Sequence, residues 1–355
     1  MYVVRPVELS DIAALEALAA VTMPGVHTLP KTREKIAASV ERSIASFAAH
    51  VDIPSEESYL FVLESLGDQA ADEAGGEGSG GGIVGTAAIF ASAGSNGTYF
   101  SFRNDVIQQV SRDLNISHSV HALTLCSELT AYSQLSGFYV GAKEQNGPEA
   151  ALLSRARLLY AVLAPQRFGD RFFVPLAGIT DADGGSPFWD ALGRKFFQMD
   201  FLDAERVIGG ARNRTLIVEL MPHYPVYVPL LPGDAQAAMG QIHPSGEPAF
   251  NLLTAEGFEA DDYIDIFDGG PILQAHKNSL RTFSGALTRR VETSAPERTA
   301  VPRVTYAVAA SSEQNFRAVV VDCTPVEASA TIALSQDVQD VLKIAPGDSV
   351  LCVRL

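Results

Sequence analysis

Cysteine is scarce in this chain, with three in 355 residues. Cys126, Cys323 and Cys352 are far apart and in no C-x-x-C spacing, which argues against a disulfide framework or a cysteine-built zinc site, so they are expected to be small buried residues. Long hydrophobic runs are also missing. No apolar stretch approaches the roughly 18 residues of a membrane helix, and the opening MYVVRPVELSD lacks the basic and apolar regions of a signal peptide. No membrane partner is expected, and the cytoplasm is the default location. Basic side chains are in short supply: 26 Lys and Arg against 42 Asp and Glu leave a net charge of −16. That balance opposes phosphate-backbone binding, so no nucleic-acid partner is expected, and it suits both solubility and a cationic small substrate. No internal repeat is visible, which makes solenoids and propellers poor candidates.

What is present is 47% hydrophobic sequence, enough for a sizeable core and about two structural units. Tyr2 to Arg5 reads as a strand, followed by a helix capped by Ser10 with Ile12, Leu15 and Leu18 on one face. Ile36, Val40, Ile44 and Phe47 mark a second amphipathic helix. Residues 58–64 and 83–90 read as strands joined by a flexible Gly-rich loop at 65–82, which contains no Gly-Lys-Ser/Thr phosphate cradle. Strands are predicted at 123–126, 135–140, 172–179, 215–220 and 263–267, and a helix along Ala150, Leu153, Arg157 and Tyr160. Ser186 and Pro187 open a short helix, and a helix over 248–256 ends at Gly257. Prolines at 222, 225, 229 and 232 forbid regular structure there. After residue 276 the texture becomes strand and turn.

This element order resembles the GNAT acyl-CoA N-acyltransferase fold, an α/β (α+β) architecture. Residues 1–275 would form the GNAT-like domain, with 184–245 as a helical, proline-rich insertion, and 276–355 a small β-rich C-terminal subdomain. The resemblance implies that acyl-CoA lies where two parallel strands splay apart, with a strand amide polarising the thioester and a helix N-terminus taking the pyrophosphate. The strand candidate is Ser136 to Val140, with Phe138 and Val140 as contacts. The cradle candidate is Gln145 to Ala150, in which Gln145, Gly147 and Ala150 are the expected cofactor-binding residues. Pro148 stands where the cradle pattern has a glycine and removes an N–H, while Glu149 adds negative charge.

ELMPHYPVYVPLL, MGQIHP and GFEADDYIDIFDGGP, supported by SAGSNGTYFSFRND and SPFWDALGRKFF, resemble the arginine N-succinyltransferase family along the whole chain. HYPVYVPLLP and YFSFRND look closer to the alpha subunit of its two-subunit arginine/ornithine form than to its single-gene arginine enzyme. The resemblance implies transfer of succinyl from succinyl-CoA, as co-substrate, to the α-amino group of arginine or ornithine, with no metal. It also implies a homologous beta subunit or a homo-oligomer as partner. The proton donor of the family's Gly-Gln-Val/Ile-His-Pro motif maps onto His243, and its succinyl-CoA contact onto Phe138.

A guanidinium substrate calls for carboxylates, and Glu219, Asp265 and Asp268 lie at strand ends; Arg103 is placed to meet the succinyl carboxylate. Lesser candidates are His223 with Tyr224 as an acid/base pair, His118 with His121 as a metal pair, which without an evident third ligand reads instead as a surface helix pair, and Arg155 and Arg157 for CoA phosphates. Ser154 lacks a nucleophile elbow. The rival reading is a non-catalytic GNAT-like partner subunit, for which Pro148 and Glu149 argue. A third is an acyltransferase with different amine specificity.

Overall fold

A computed structural model describes residues 1–21, 30, 32–67, 81–181, 183–208, 219–293 and 302–355. Its strands are β1 (Tyr2–Pro6), β2 (Ser58–Ser65), β3 (Gly82–Phe90), β4 (Ser101–Ser111), β5 (Ile116–Cys126), β6 (Ser133–Val140), β7 (Arg171–Pro175), β8 (Val226–Tyr227), β9 (Glu259–Ile264), β10 (Pro271–His276), β11 (Leu287–Thr293), β12 (Val304–Ala310), β13 (Ala318–Cys323), β14 (Thr331–Leu334) and β15 (Ser349–Arg354). They join one mixed sheet in the order β14-β11-β15-β12-β13-β1-β2-β3-β6-β7-β10-β9-β4-β5-β8. The helices are α1 (Ile12–Val21), α2 (Arg33–Ala48), α3 (Pro148–Leu163), α4 (Pro187–Ala191), α5 (Gly193–Phe197), α6 (Phe201–Ile208), α7 (Gly233–Ala238), α8 (Glu247–Glu256), α9 (Arg281–Gly285) and α10 (Gln336–Leu342). The result is an α/β (α+β) fold, helices packed on one large mixed sheet.

The centre of the sheet is covered on both faces, which is why SYLFVLE reads as nearly continuous apolar sequence. Tyr59, Phe61 and Leu63 share a core with α3, while Leu60 and Val62 pack with Leu15 of α1 and with Ile36 and Val40 of α2. Phe47, Tyr59, Phe61, Tyr160 and Phe316 form an edge-on aromatic cluster between α2, α3 and the sheet. Ile44, predicted on the buried stripe of α2, is exposed; Ser43 and Ser46 take the inward positions and accept hydrogen bonds from the amides of Leu60 and Ser58. A second core gathers Phe188, Trp189, Phe201 and Phe267, with the Trp189 and Phe267 rings stacked at 5.8 Å. The C-terminal strands continue the sheet, because Val319 and Ala318 of β13 pair with Val3 and Val4 of β1.

Several boundaries differ from the sequence reading. The first helix is entered through a capping box between Glu8 and Asp11, so Glu8 is the cap and Ser10 lies inside a 3-10 turn. Asp11 is held there by Arg5 in a buried bidentate pair of 2.8 and 2.9 Å. The strand expected over 172–179 stops at Pro175, and the one expected over 263–267 runs instead from Glu259 to Ile264. Most of the predicted Gly-rich loop, and residues 215–218 of a predicted strand, lie outside the described residues; Glu219 and Leu220 form a turn.

Candidate active site

β6 and β7 run parallel but pair at only two positions, Ser133 with Phe172 and Gln134 with Phe173. Neither strand frays. β6 stays zipped to β3 as far as Val140, and β7 stays zipped to β10 as far as Pro175. The gap between them is therefore a wedge built by two firmly held strands. The register of β3 with β6 slips between Thr86 and Ala88, so Gly137 and Phe138 bulge opposite one residue. Gly137 has φ +58°, a left-handed conformation that disfavours any side chain.

His243 is tied to the other wall. Its amide donates to the Ala177 carbonyl at 2.8 Å, next to the bridge between Ile242 and Gly178. Counting forward from the Gln134–Phe173 pair, with one residue absorbed by the bulge, Phe138 is level with Leu176 and Tyr139 with Ala177. His243 is thus anchored to the chain two residues beyond the end of β7, on the segment that continues this wall of the wedge. The imidazole is half-buried and caps a 3-10 turn, Pro244–Gly246. Ser245 engages its Nδ1 through the hydroxyl at 2.7 Å and the amide at 3.2 Å. Nε2 is left as the nitrogen available for proton exchange.

Asp268 holds this strap together. Its two carboxylate oxygens accept from the amides of Gly178 and Gly270, both at 2.8 Å, and the side chain is 2% exposed. Asp265 is likewise buried and accepts from the Phe267 amide at 2.8 Å. These two carboxylates organise backbone. Glu219 is exposed in its turn. Arg103 lies on β4, across the sheet from the wedge, and pairs with Asp105 at 2.7 Å and Glu128 at 2.5 Å.

The candidate cradle forms the turn before α3. Val140 and Ala150 are buried, Gln145 and Gly147 half-buried, and Gly147 is the N-cap with Pro148 at the first helical position. Two of the chain's own carboxylates crowd this end. The Tyr2 hydroxyl donates to Glu144 at 3.1 Å, and its pKa is raised by burial and then by Glu144 and Glu149. Glu149 folds back over Gly147. Negative charge at a helix N-terminus is stabilised by the helix dipole, and here it stands where a pyrophosphate would be received.

Arg157, one face inward on α3, is the residue whose situation the sequence reading missed. It is 1% exposed, with its guanidinium 5.3 Å from the centre of the Phe138 ring. Nε donates to the Ser154 carbonyl and Nη2 to the Ser154 hydroxyl, whereas Nη1 is buried without a partner. Burial pushes its pKa down to about 9, so it remains charged at neutral pH. A cation–π contact contributes about 0.5–2 kcal/mol, less than the several kcal/mol that a buried charge costs without a counter-ion. Arg155, by contrast, is neutralised by Glu256 at 3.0 Å.

His118 and His121 lie on strand β5, not on a helix, and three residues apart on a strand they point to opposite faces. His223 and Tyr224 are exposed. Among the described residues no group of three His, Cys, Asp or Glu side chains is placed to hold a metal, and no helix is long and apolar enough to cross a membrane. Cys323 and Cys352 are buried and Cys126 half-buried, all three free.

A family model described as arginine N-succinyltransferase beta subunit matches residues 2–282, and one described as the C-terminal domain of that subunit matches 289–354. The chain is 41% identical to arginine N-succinyltransferase subunit alpha of Pseudomonas aeruginosa, covering all of both chains. It is 33% identical to arginine N-succinyltransferase of Yersinia pestis, covering all of this chain and 98% of that one. Its structure superposes on that of arginine/ornithine succinyltransferase subunit AI from Pseudomonas aeruginosa with a TM-score of 0.85 and 39% identity, over 100% of this chain and 98% of the other. The chain belongs to the arginine N-succinyltransferase family.

Proposed function

We infer that this chain is an acyltransferase that moves the succinyl group of succinyl-CoA to the α-amino group of arginine, giving N2-succinylarginine and CoA, in the cytoplasm. The observation that carries this reading is the wedge between β6 and β7, with the Gly137–Phe138 bulge on one wall and His243 anchored on the segment that continues the other. A thioester lodged in the wedge would present its carbonyl to a backbone amide freed by the bulge, and that amide would stabilise the oxyanion as the amine adds. The amine nitrogen forms the new C–N bond as the C–S bond breaks; His243 Nε2, which carries the ring proton because Nδ1 accepts from the Ser245 amide, donates that proton to the leaving sulfur and is reloaded by the proton the amine nitrogen sheds. Ser245, holding Nδ1, orients the ring for both steps. Glu219 is the exposed carboxylate proposed for the substrate guanidinium; Asp265 and Asp268 support it indirectly by fixing the strap.

The test is incubation of the purified chain with succinyl-CoA and arginine, following thiol release and the mass of the product. N2-succinylarginine is expected, and its loss in His243→Ala with the fold intact. No thiol release, either alone or with a homologous beta subunit, would overturn the reading. Ornithine assayed in parallel gives the acceptor preference.

A second reading, that the chain is a scaffold beside a catalytic sister subunit, is favoured by Glu144 and Glu149 at the α3 N-terminus and by the N–H missing at Pro148. It predicts that succinyl-CoA does not bind the isolated chain, which calorimetry decides.

A further inference from the structure

Position 157 falls on the apolar stripe of α3, between Leu153 and Tyr160, where helical spacing turns a side chain into the core. An arginine there has to bring a counter-charge, and the described structure provides none. Its Ser154 partners are a hydroxyl and a carbonyl, and one guanidinium nitrogen is buried with nothing to donate to. The guanidinium instead rests on Phe138, in the bulge of β6, four residues past the last pair between β6 and β7. An unpaired, fully buried cation beside an opening between two strands is a receptor lacking its anion.

We propose that Arg157 binds the free carboxylate of the succinyl group and so selects dicarboxylic over simple acyl thioesters. This assignment rests on the succinyltransferase reading and names the residue that sets its acyl specificity. From a thioester carbonyl at the bulge, the far carboxyl carbon would reach roughly 4 Å, the span of three extended carbon–carbon bonds. The phosphates of CoA are the other anionic source. Arg157 lies nine residues beyond Pro148, roughly 13 Å along α3 from the end that would face them, which favours the acyl end. The Phe138 ring, only partly covered, has to turn aside for the carboxylate to reach Nη1, and the planar fork of the guanidinium then meets the carboxylate edge-on.

The experiment compares binding of succinyl-CoA and butyryl-CoA, which share every phosphate and differ by one carboxylate, to the full chain and to Arg157→Met, by calorimetry. The wild type is expected to bind succinyl-CoA roughly 10- to 100-fold more tightly, and the variant to bind both alike. Because the free protein holds no anion against Arg157, the variant is also expected to keep or raise its melting temperature. An unchanged preference in the variant overturns the proposal. So does an equal loss of affinity for both thioesters, which assigns Arg157 to the phosphates, and so does failure of the variant to fold, which makes the guanidinium structural. Arg157→Lys, which keeps the charge but not the fork, is expected to retain part of the preference. The readout needs no turnover: binding selectivity without succinylarginine formation would sink the catalytic reading alone, and turnover with selectivity unmoved in the variant would sink the Arg157 assignment alone.

Discussion

Replacing Asp268 by Asn tests the strap on which His243 depends. The carboxylate accepts from Gly178 and Gly270 with both oxygens, and an amide keeps one acceptor while turning an NH2 against the other N–H. One charge-assisted bond is lost and one buried amide is stranded, costing about 3–5 kcal/mol. Unfolding entropy of about 2.1 cal/mol/K per residue gives roughly 0.75 kcal/mol/K for a chain of 355 residues. Melting temperature should therefore fall by roughly 4–7 °C. Release of Gly178 also frees Ala177, to which the His243 amide is bonded. A displacement near 1 Å at a catalytic group costs on the order of 100-fold in rate, so kcat should fall by up to that factor. Differential scanning fluorimetry and a thiol-release assay measure the two effects. A variant with wild-type melting temperature and kcat would refute the structural role of the carboxylate.

Gly178→Ala should fail in the same place, since an added Cβ would lie 2.6 Å from the Asp268 carbonyl oxygen and 2.7 Å from the Gly270 nitrogen; soluble yield and melting temperature report it. Arg167 ties the end of α2 to β2 and to Glu313 through the Ser46 and Ala49 carbonyls, the Tyr59 hydroxyl and the Glu313 carboxylate, so Arg167→Ala should cost about 3–5 kcal/mol in chemical denaturation. Glu149→Gln removes negative charge beside the α3 N-terminus; if that end receives phosphates, affinity for CoA should rise about 2- to 5-fold by calorimetry. The Glu128 carboxyl is held low by the Tyr263 hydroxyl and then by Arg103, and Asp105 by Arg103. Lowered pKa values mean stability that is complete above the ordinary 4.5 and 3.8 and is lost as pH falls through the folded values, so Arg103→Met should flatten the acid side of a melting-temperature profile.

Elements whose sequence matched one strong local rule were legible: α2 from its four-residue spacing, α4 from Ser186 accepting the Trp189 amide ahead of Pro187, and the C-terminal strands from their short, mostly apolar runs rich in valine. The β4–β5 hairpin was read only at its end, near Leu123 to Cys126. Beyond Asp105 its residues are largely exposed on both faces, Val106, Val110, Leu114 and Ile116 among them, so alternation carried no signal and His118 and His121 were given to a helix. In the candidate site, the splayed strand and the turn at Gln145 were visible from element order. That Asp268 accepts from two amides was not legible, because a carboxylate beside glycines looks the same in sequence whatever it meets. Arg157 carried a usable sign, a charge on a buried stripe; only the structure supplied the fact that its Nη1 is buried without a partner.

The most direct measurement is a crystal structure with succinyl-CoA bound. The thioester carbonyl oxygen is expected within hydrogen-bonding distance of an amide at Gly137–Phe138, with His243 Nε2 turned toward the sulfur. A thioester seated elsewhere, or an imidazole facing away from it, would contradict the mechanism.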